Sequence, residues 1–515
     1  MAQTPLRDGV CAAEPRLPTS ADSPSFRALG LARATGRGPL LDSGHSLRLP
    51  GAEHAEAAVI QAALTRGEIA VLGLGRSGVA VARLLAREGA RVYASDAGSS
   101  DAVTQAVAAL RAEGIAAEGG RHDLARIRAA SLVVVSPGVP PEALPLAAAC
   151  ESGVAVVGEL EVALHVLRGV PYIAVTGTNG KSTVTAMAAH LLSALGHRTV
   201  AAGNIGRALS DVALAGERPD WIALEISSFQ LHDTPGLQPD VGVLTNLSPD
   251  HLDRYATVED YYADKALLYR NATPASRWVV NADDRRALEL GMGHPGTRWA
   301  FSRLDAFTTA HYDGARDALM LFKEPLIWRH DLPLLGWHNM ENTLAALLAV
   351  MVADPAHQTK TARAVLADAV RSFRGLPHRL EIVADAGGVQ WINDSKATNV
   401  SSARVAIEAM IRPTVVLLGG KHKGEPYTAL LEPLKAHAKL VIAFGEAEPL
   451  IADDLQGRVP LERGGSSFEY VMHRARAAAT PGDAVLLAPA CSSFDMFTNY
   501  EARGEAFRHL AQALP

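Results

Sequence analysis

From Glu68 onward the chain repeats one local pattern: a short apolar run, a turn of glycine or polar residues, then an amphipathic stretch. "EIAVLGLG" leads into "SGVAVARLLAREG", and "RVYASD" and "SLVVVSPG" follow. "PYIAVTGTNGKSTVTAMAAHLLSALG", "WIALEISSFQL" and "DVGVLTNLSPDHLD" continue it. The pattern restarts near Leu376 with "GLPHRLEIV" and "VQWINDSKATN", then "TVVLLGG", "KLVIAFG" and "AVLLAPA". Continuous apolar runs of this kind suit strands buried on both faces, and helices between them make the crossovers that parallel strands require. The expected fold class is therefore α/β. At 515 residues the chain is too long for one core, and the pattern divides it into three domains, split near 168 and 377. Residues 1–66, rich in Pro, Gly, Ser and Arg, read as a disordered extension with one helix near 52–65.

Composition narrows the partners. A net charge of −6 over this length makes no electrostatic case for nucleic acid or an anionic membrane. Cys11, Cys150 and Cys491 are far apart, odd in number and free of any CxxC spacing. That argues against a disulfide framework or structural zinc and for a reducing cytoplasm. No stretch approaches the ~18 apolar residues of a membrane span, and the first 50 residues contain no signal-peptide core.

The stretch "AVTGTNGKSTVTA", Ala174 to Ala186, follows an apolar strand and opens a helix. Backbone N–H groups of such a loop converge where the helix dipole favours an anion. Gly177 and Gly180 permit tight curvature, Lys181 can bridge phosphates, and Ser182 or Thr183 can offer a hydroxyl to Mg²⁺. The common loop G-x-x-x-x-G-K-[ST] would need glycine where Val175 stands, which removes the usual GTPase or kinase match but not phosphate binding.

Downstream, Glu225 closes an apolar run, and "PDHLDRY" sets His251 between Asp250 and Asp253. Functional groups of an α/β sheet gather at the carboxyl ends of strands, so Glu225, His251 and Ser182 are expected to converge. Near the start, "GLGRSG" (73–78) follows a strand, and Asp96 ends the next one. This fits a dinucleotide fingerprint, but no second-domain hydride-transfer constellation accompanies it.

Taken in order, "GTNGKST", "GNIG" (203–206), "ALEISSFQL", "TNLSPDHLDRY", "HNMEN" (338–342), "GLPHR" (375–379), "INDSKATN" (392–399) and "LAPACSSFDMFTNYEARG" (487–504) resemble the Mur ligases. "NDSKATN" and "CSSFDMF…RG" look specific to the branch that adds D-glutamate. The resemblance covers about Ile69 to the C-terminus. It implies a Rossmann-like domain at 67–168 for a UDP-sugar, a central P-loop ATPase-type domain with a parallel sheet at 169–377, and a Rossmann-like amino-acid domain at 378–515. It also implies the chemistry: ATP phosphorylates a carboxylate, and an amine attacks the acyl phosphate.

The resemblance carries over to individual positions. Gly177, Thr178, Asn179, Gly180, Lys181, Ser182 and Thr183 match the ATP cradle, joined by Asn342, Arg379, Asp394 and Lys396. Ser182, Glu225, His251 and Lys265, the last as a carbamate, match magnesium-holding positions, with two Mg²⁺ sites implied. Lys181, Glu225, His251 and Lys265 are the expected catalytic set; read without the family, Lys265 is an ordinary solvated helix lysine. Gly75, Arg76, Ser77, Asp96, Gly138, Asn204, Ser227 and Gln230 match the UDP-N-acetylmuramoyl-L-alanine site. Thr398, Lys423, Ser493, Phe494 and Tyr500 match the D-glutamate site. Lys421 is the alternative to Lys423 as counter-charge for a substrate carboxylate, and Phe494 and Tyr500 are equally readable as packing residues. No nucleic acid and no membrane insertion are implied, and a monomer is expected.

Overall fold

The computed structural model describes residues 60–251 and 254–513, so most of the expected extension lies outside the described residues. Within them are two compact units. One runs to Val166 and takes in Asp233–Gly236; the other comprises Leu167–His232 and the chain from Leu237 on.

The first unit is built on a five-stranded parallel sheet in the order Ala116–Gly119, Arg91–Asp96, Glu68–Leu72, Leu132–Val135, Val156–Gly158. Strand order reverses between Glu68–Leu72 and Leu132–Val135, and a crevice for ligands opens at such a switch point. The loops that leave these two strands carry "GLGRSG" and "SPGV". Residues 60–66 are helical, with Ile60 and Ala63 buried and the Ala63 carbonyl accepting from Ser131 Oγ at 3.2 Å. That segment is packed onto the unit, because its apolar side chains find a face to cover.

The second unit contains two sheets. The larger has nine strands, in the order Glu324–Trp328, Ala318–Leu321, Ala310–Asp313, Thr297–Ser302, Arg277–Asn281, Val241–Leu244, Tyr172–Thr176, Trp221–Glu225, Thr199–Gly203. Seven are parallel, as expected; the two at the Glu324 edge are antiparallel. Their connections are too short for a crossover and must be hairpins. Phe322 and Lys323 join the last pair with φ of 51° and 70°, the double left-handed turn that twisted hairpins prefer. The sequence hides this turn, since Phe-Lys carries none of the usual Asn-Gly signal. Helix Trp337–Ala353 packs on the sheet and is buried almost all round, which suits its nearly uniform apolar sequence.

The smaller sheet has six strands, in the order Glu381–Ala386, Val389–Asn393, Ala484–Leu487, Thr414–Gly419, Ala438–Phe444, Leu461–Gly465. All are parallel except the first, which pairs antiparallel through a Gly387-Gly388 hairpin.

Candidate active site

The strand Tyr172–Thr176 is buried throughout, and helix Lys181–Ala194 begins one short loop later. Gly177 turns the chain at φ 139°, where a Cβ would lie 2.1 Å from Thr245 Oγ1. Gly180 caps the helix at φ 84°, where a Cβ would lie 2.2 Å from Asn342 Oδ1. Both conformations and both close approaches demand glycine. The neighbouring strand end holds the loop from outside. Thr178 N donates to Asn246 O at 2.8 Å, Asn179 N to Asn246 Oδ1 at 2.8 Å, and Thr245 Oγ1 to Asn179 O at 2.6 Å. Thr178 Oγ1 also meets Ser248 O and Tyr261. The ammonium of Lys181 folds back on the loop carbonyls Gly177 O (3.0 Å) and Thr178 O (2.7 Å). Burial pushes its pKa below the ordinary lysine value, while Glu225 opposes that shift.

Glu225 ends its strand 2 % exposed. Its Oε1 accepts from Asn204 Nδ2 at 2.8 Å, and its enclosed Oε2 has no hydrogen-bond partner among the described residues. Lys265, on helix Val258–Ala266, is 1 % exposed, and its Nζ donates to Thr176 Oγ1 at 3.1 Å. Burial, reinforced by the positive charge of Lys181, holds its pKa well below the usual value. The solvated-lysine reading of Lys265 is therefore excluded. His251 is exposed, takes a φ of 54°, and lies edge-on to Phe229 at 5.2 Å. Its backbone N–H donates to Asp250 Oδ1, and Asp253 lies outside the described residues.

Residues far along the chain complete the pocket. Arg379 Nη2 donates to Ser182 Oγ at 3.2 Å. Asp394 Oδ1 accepts from Leu380 N at 3.2 Å, and burial pushes its carboxyl up to about 7 against the opposing charge of Arg379. A cavity of about 230 Å³ opens here, lined by Asn179, Gly180, Thr183, Asn342, Arg379, Asp394 and Lys396 together with Asn246, His338 and Asn339. Expected nucleotide residues from the central and third domains thus line one cavity. Asn246, His338, Asn339 and Tyr261 were not singled out by sequence reasoning. Their signals lay inside "TNLS", "HNMEN" and "YYADK", where no local pattern separates a lining residue from a neighbour.

Three consecutive regions of the chain match the descriptions MurD-like N-terminal domain (67–158), Mur ligase middle domain (175–350) and Mur ligase glutamate ligase domain (378–491). The UDP-N-acetylmuramoylalanine–D-glutamate ligase of Acidobacterium capsulatum is 40 % identical over 455 residues, covering 87 % of this chain and 96 % of that protein. The chain is a Mur ligase. The ligase of the same name from Anaeromyxobacter dehalogenans is 41 % identical over 464 residues, covering 86 % and 97 %. Among solved structures, the UDP-N-acetylmuramate–alanine ligase of Thermotoga maritima has 19 % identity and a TM-score of 0.56 over 87 % of this chain and all of that one, a likeness of fold.

At the third-domain strand ends of this Mur ligase, Lys423 Nζ lies 3.5 Å from Thr398 Oγ1. Lys421 instead pairs its backbone with Ser492, N to O at 2.9 Å and O from N at 3.1 Å. Ser493 is buried, whereas Phe494 is 69 % exposed, so packing does not explain Phe494. Lys396 Nζ sits 3.9 Å over the Tyr500 ring, a cation–π contact between two of the expected site residues.

The remaining expected residues divide between the units. In the first, Gly73 turns at φ 88°, and a Cβ on Gly78 would lie 1.8 Å from Gly73 O. Gly75 precedes helix Arg76–Arg87 without a side-chain cap, leaving Arg76 and Ser77 at an open helix N-terminus. Both oxygens of Asp96 hold backbone, Oδ2 accepting from Leu74 N and Oδ1 from Gly98 N, each at 2.7 Å. Asp96 therefore braces the glycine loop directly. Gly138 lies in the turn after Leu132–Val135, with open space beside it. In the second unit, Ser227 and Gln230 bond each other across the start of a short helix, and Asn204 holds Glu225.

Proposed function

We propose that this Mur ligase joins D-glutamate to UDP-N-acetylmuramoyl-L-alanine at the cost of ATP, in cytoplasmic peptidoglycan precursor synthesis. The identity with D-glutamate ligases through nearly their whole length carries the choice of substrates, and no helix among the described residues is long and apolar enough to cross a membrane.

A carboxylate resists amines because its charge repels them and oxide is a poor leaving group; phosphorylation removes both obstacles. ATP lies along Gly177–Thr183 with Asn342, Arg379, Asp394 and Lys396 around its nucleoside and phosphates. Lys181 and Arg379 neutralise charge that spreads over the transferring phosphoryl oxygens. The alanyl carboxylate attacks the γ-phosphorus and ADP leaves. The D-glutamate amine then adds to the acyl carbon, and collapse of the tetrahedral intermediate expels phosphate. Gly75, Arg76, Ser77, Asp96 and Gly138 serve the UDP end of that substrate, and Asn204, Ser227 and Gln230 its muramoyl-alanine end. Thr398, Lys423, Ser493, Phe494 and Tyr500 hold D-glutamate, with Lys423 opposing a carboxylate.

One donor supports magnesium here: the Glu225 oxygen, unpartnered among the described residues, is an anionic ligand held in an enclosed place. Ser182, Glu225, His251 and Lys265 would hold the ions, which supply positive charge against phosphate oxygens. Lys265 fits carbamylation, because burial and the charge of Lys181 disfavour its ammonium form and the neutral amine is the form that reacts with CO₂. The resulting anion would lie in the positive field of Lys181.

The deciding experiment supplies the full chain with ATP, Mg²⁺, UDP-N-acetylmuramoyl-L-alanine and either D- or L-glutamate. Phosphate release with the D isomer alone is expected; release with neither overturns the reading.

A further inference from the structure

Arg503, on helix Tyr500–Gln512, is 0 % exposed. A guanidinium has five N–H donors, and all five are used. Nε donates to Ser395 Oγ at 3.0 Å, Nη1 to Ser492 O at 3.2 Å and Gly419 O at 3.4 Å, and Nη2 to Ser395 O at 3.0 Å and Cys491 O at 3.1 Å. The acceptors are four backbone carbonyls and one hydroxyl, with no carboxylate among them. Burial lowers the arginine to about 10, so it remains charged near neutral pH. Asp495 favours the charge from a distance, but among the described residues no carboxylate pairs with it directly; such a buried cation is costly, and apolar side chains fill the space more cheaply. Packing alone does not explain an arginine here.

What the fork joins is informative. Its acceptors belong to Gly419 and to the loops that leave Val389–Asn393 and Ala484–Leu487. With Thr414–Gly419, which ends at Gly419, these are three adjacent strands of the smaller sheet. The loop after Val389–Asn393 carries Thr398, that after Thr414–Gly419 carries Lys423, and that after Ala484–Leu487 carries Ser493. Gly420 is tailored to the clamp: a Cβ there would lie 2.2 Å from Ser492 O and 3.0 Å from Arg503 Nη1. A second tie joins two of the loops, as His422 Nδ1 meets Tyr427 OH at 2.9 Å and Tyr427 OH meets Cys491 Sγ at 3.0 Å. Asp394 is held independently, its N–H bonded to Leu487 O at 2.9 Å and its Oδ1 to Leu380 N.

We propose that Arg503 is a positioning residue for the amino-acid substrate, setting three loops at the relative heights at which Thr398, Lys423 and Ser493 meet one dicarboxylate together. The proposal rests on the D-glutamate reading above. Lysine preserves the charge but offers three donors from a single point and cannot span three loops.

Arg503→Lys is therefore expected to raise KM for D-glutamate about tenfold or more, since misplacement by about 1 Å is that damaging. KM for ATP and for the UDP-sugar should stay within about twofold, because Asp394 has its own anchors and Lys396 is held separately by its N–H on His378 O at 3.2 Å. Ser395→Ala, which removes the Nε acceptor together with that hydroxyl's bond to Tyr500 O at 2.8 Å, should show the same split at smaller size and serves if the lysine variant does not fold. Equal rises in all three constants, or none, would overturn the positioning role. A wild-type enzyme without D-glutamate-dependent phosphate release would instead overturn the substrate reading.

Discussion

Asn204 donates to Oε1 of Glu225 at 2.8 Å, while the enclosed Oε2 of the same carboxylate has no partner among the described residues. One oxygen is oriented by the protein while the other stays available for a ligand. An unsatisfied buried carboxylate oxygen destabilises the unliganded fold.

Glu225→Gln should therefore separate activity from stability. Turnover at saturating ATP is expected to fall by about 100-fold or more, with a higher requirement for Mg²⁺. Chemical denaturation of the unliganded variant should show stability equal to or above wild type. A variant that retains full turnover would remove Glu225 from the cation site.

Lys265→Ala should abolish phosphate release, and a short carboxylic acid should restore part of it by supplying the missing anion. Mass spectrometry or ¹³C NMR under ¹³CO₂ should detect the carbamate in the wild type. Loss of activity without rescue and without a labelled carbamate would leave a purely structural lysine.

Gly180→Ala introduces a Cβ against Asn342 Oδ1 at a left-handed backbone position. A cost of about 1–3 kcal/mol is expected from the backbone conformation and the clash together. In an Asn342→Ala background the clash is relieved and the conformational part remains. A double-mutant cycle by urea denaturation should show that coupling; strict additivity would refute the contact.

Asp394 titrates near 7 in the folded protein and near its ordinary, lower value when unfolded. The folded state thus holds a proton that the unfolded chain has lost. Stability contributed by this group is present below about pH 4 and falls as pH rises toward 7, by up to about 1.4 kcal/mol per pH unit. Comparing unliganded wild type with Asp394→Asn isolates the effect, and the variant should lack that part of the slope. Parallel profiles would show that the carboxyl is already ionised.

Much of the molecule was readable from local pattern. The α/β class follows from short apolar runs alternating with helical stretches, because both periodicities are written in neighbouring residues. The phosphate loop is equally local, since Gly177, Gly180, Lys181 and Ser182 lie within one turn. The antiparallel edge strands were not readable, because the Phe322-Lys323 hairpin uses left-handed residues without the usual glycine or asparagine. Lys265 looked like a surface lysine by sequence alone, since its enclosure needs Thr176 on a distant strand as well as Tyr261 one turn earlier on its own helix.

The sequence by itself determined the strand, loop and helix alternation, the anion-binding turns and the family to which their order belongs. Only the tertiary structure decided which distant residues share a site: Arg379 at Ser182, Asn246 around Asn179, and Arg503 across Ser395, Gly419 and Cys491. These meetings depend on which strands become neighbours in a sheet, and strand order is set by crossovers and by competition for burial over the whole chain. No window of neighbouring residues contains that information.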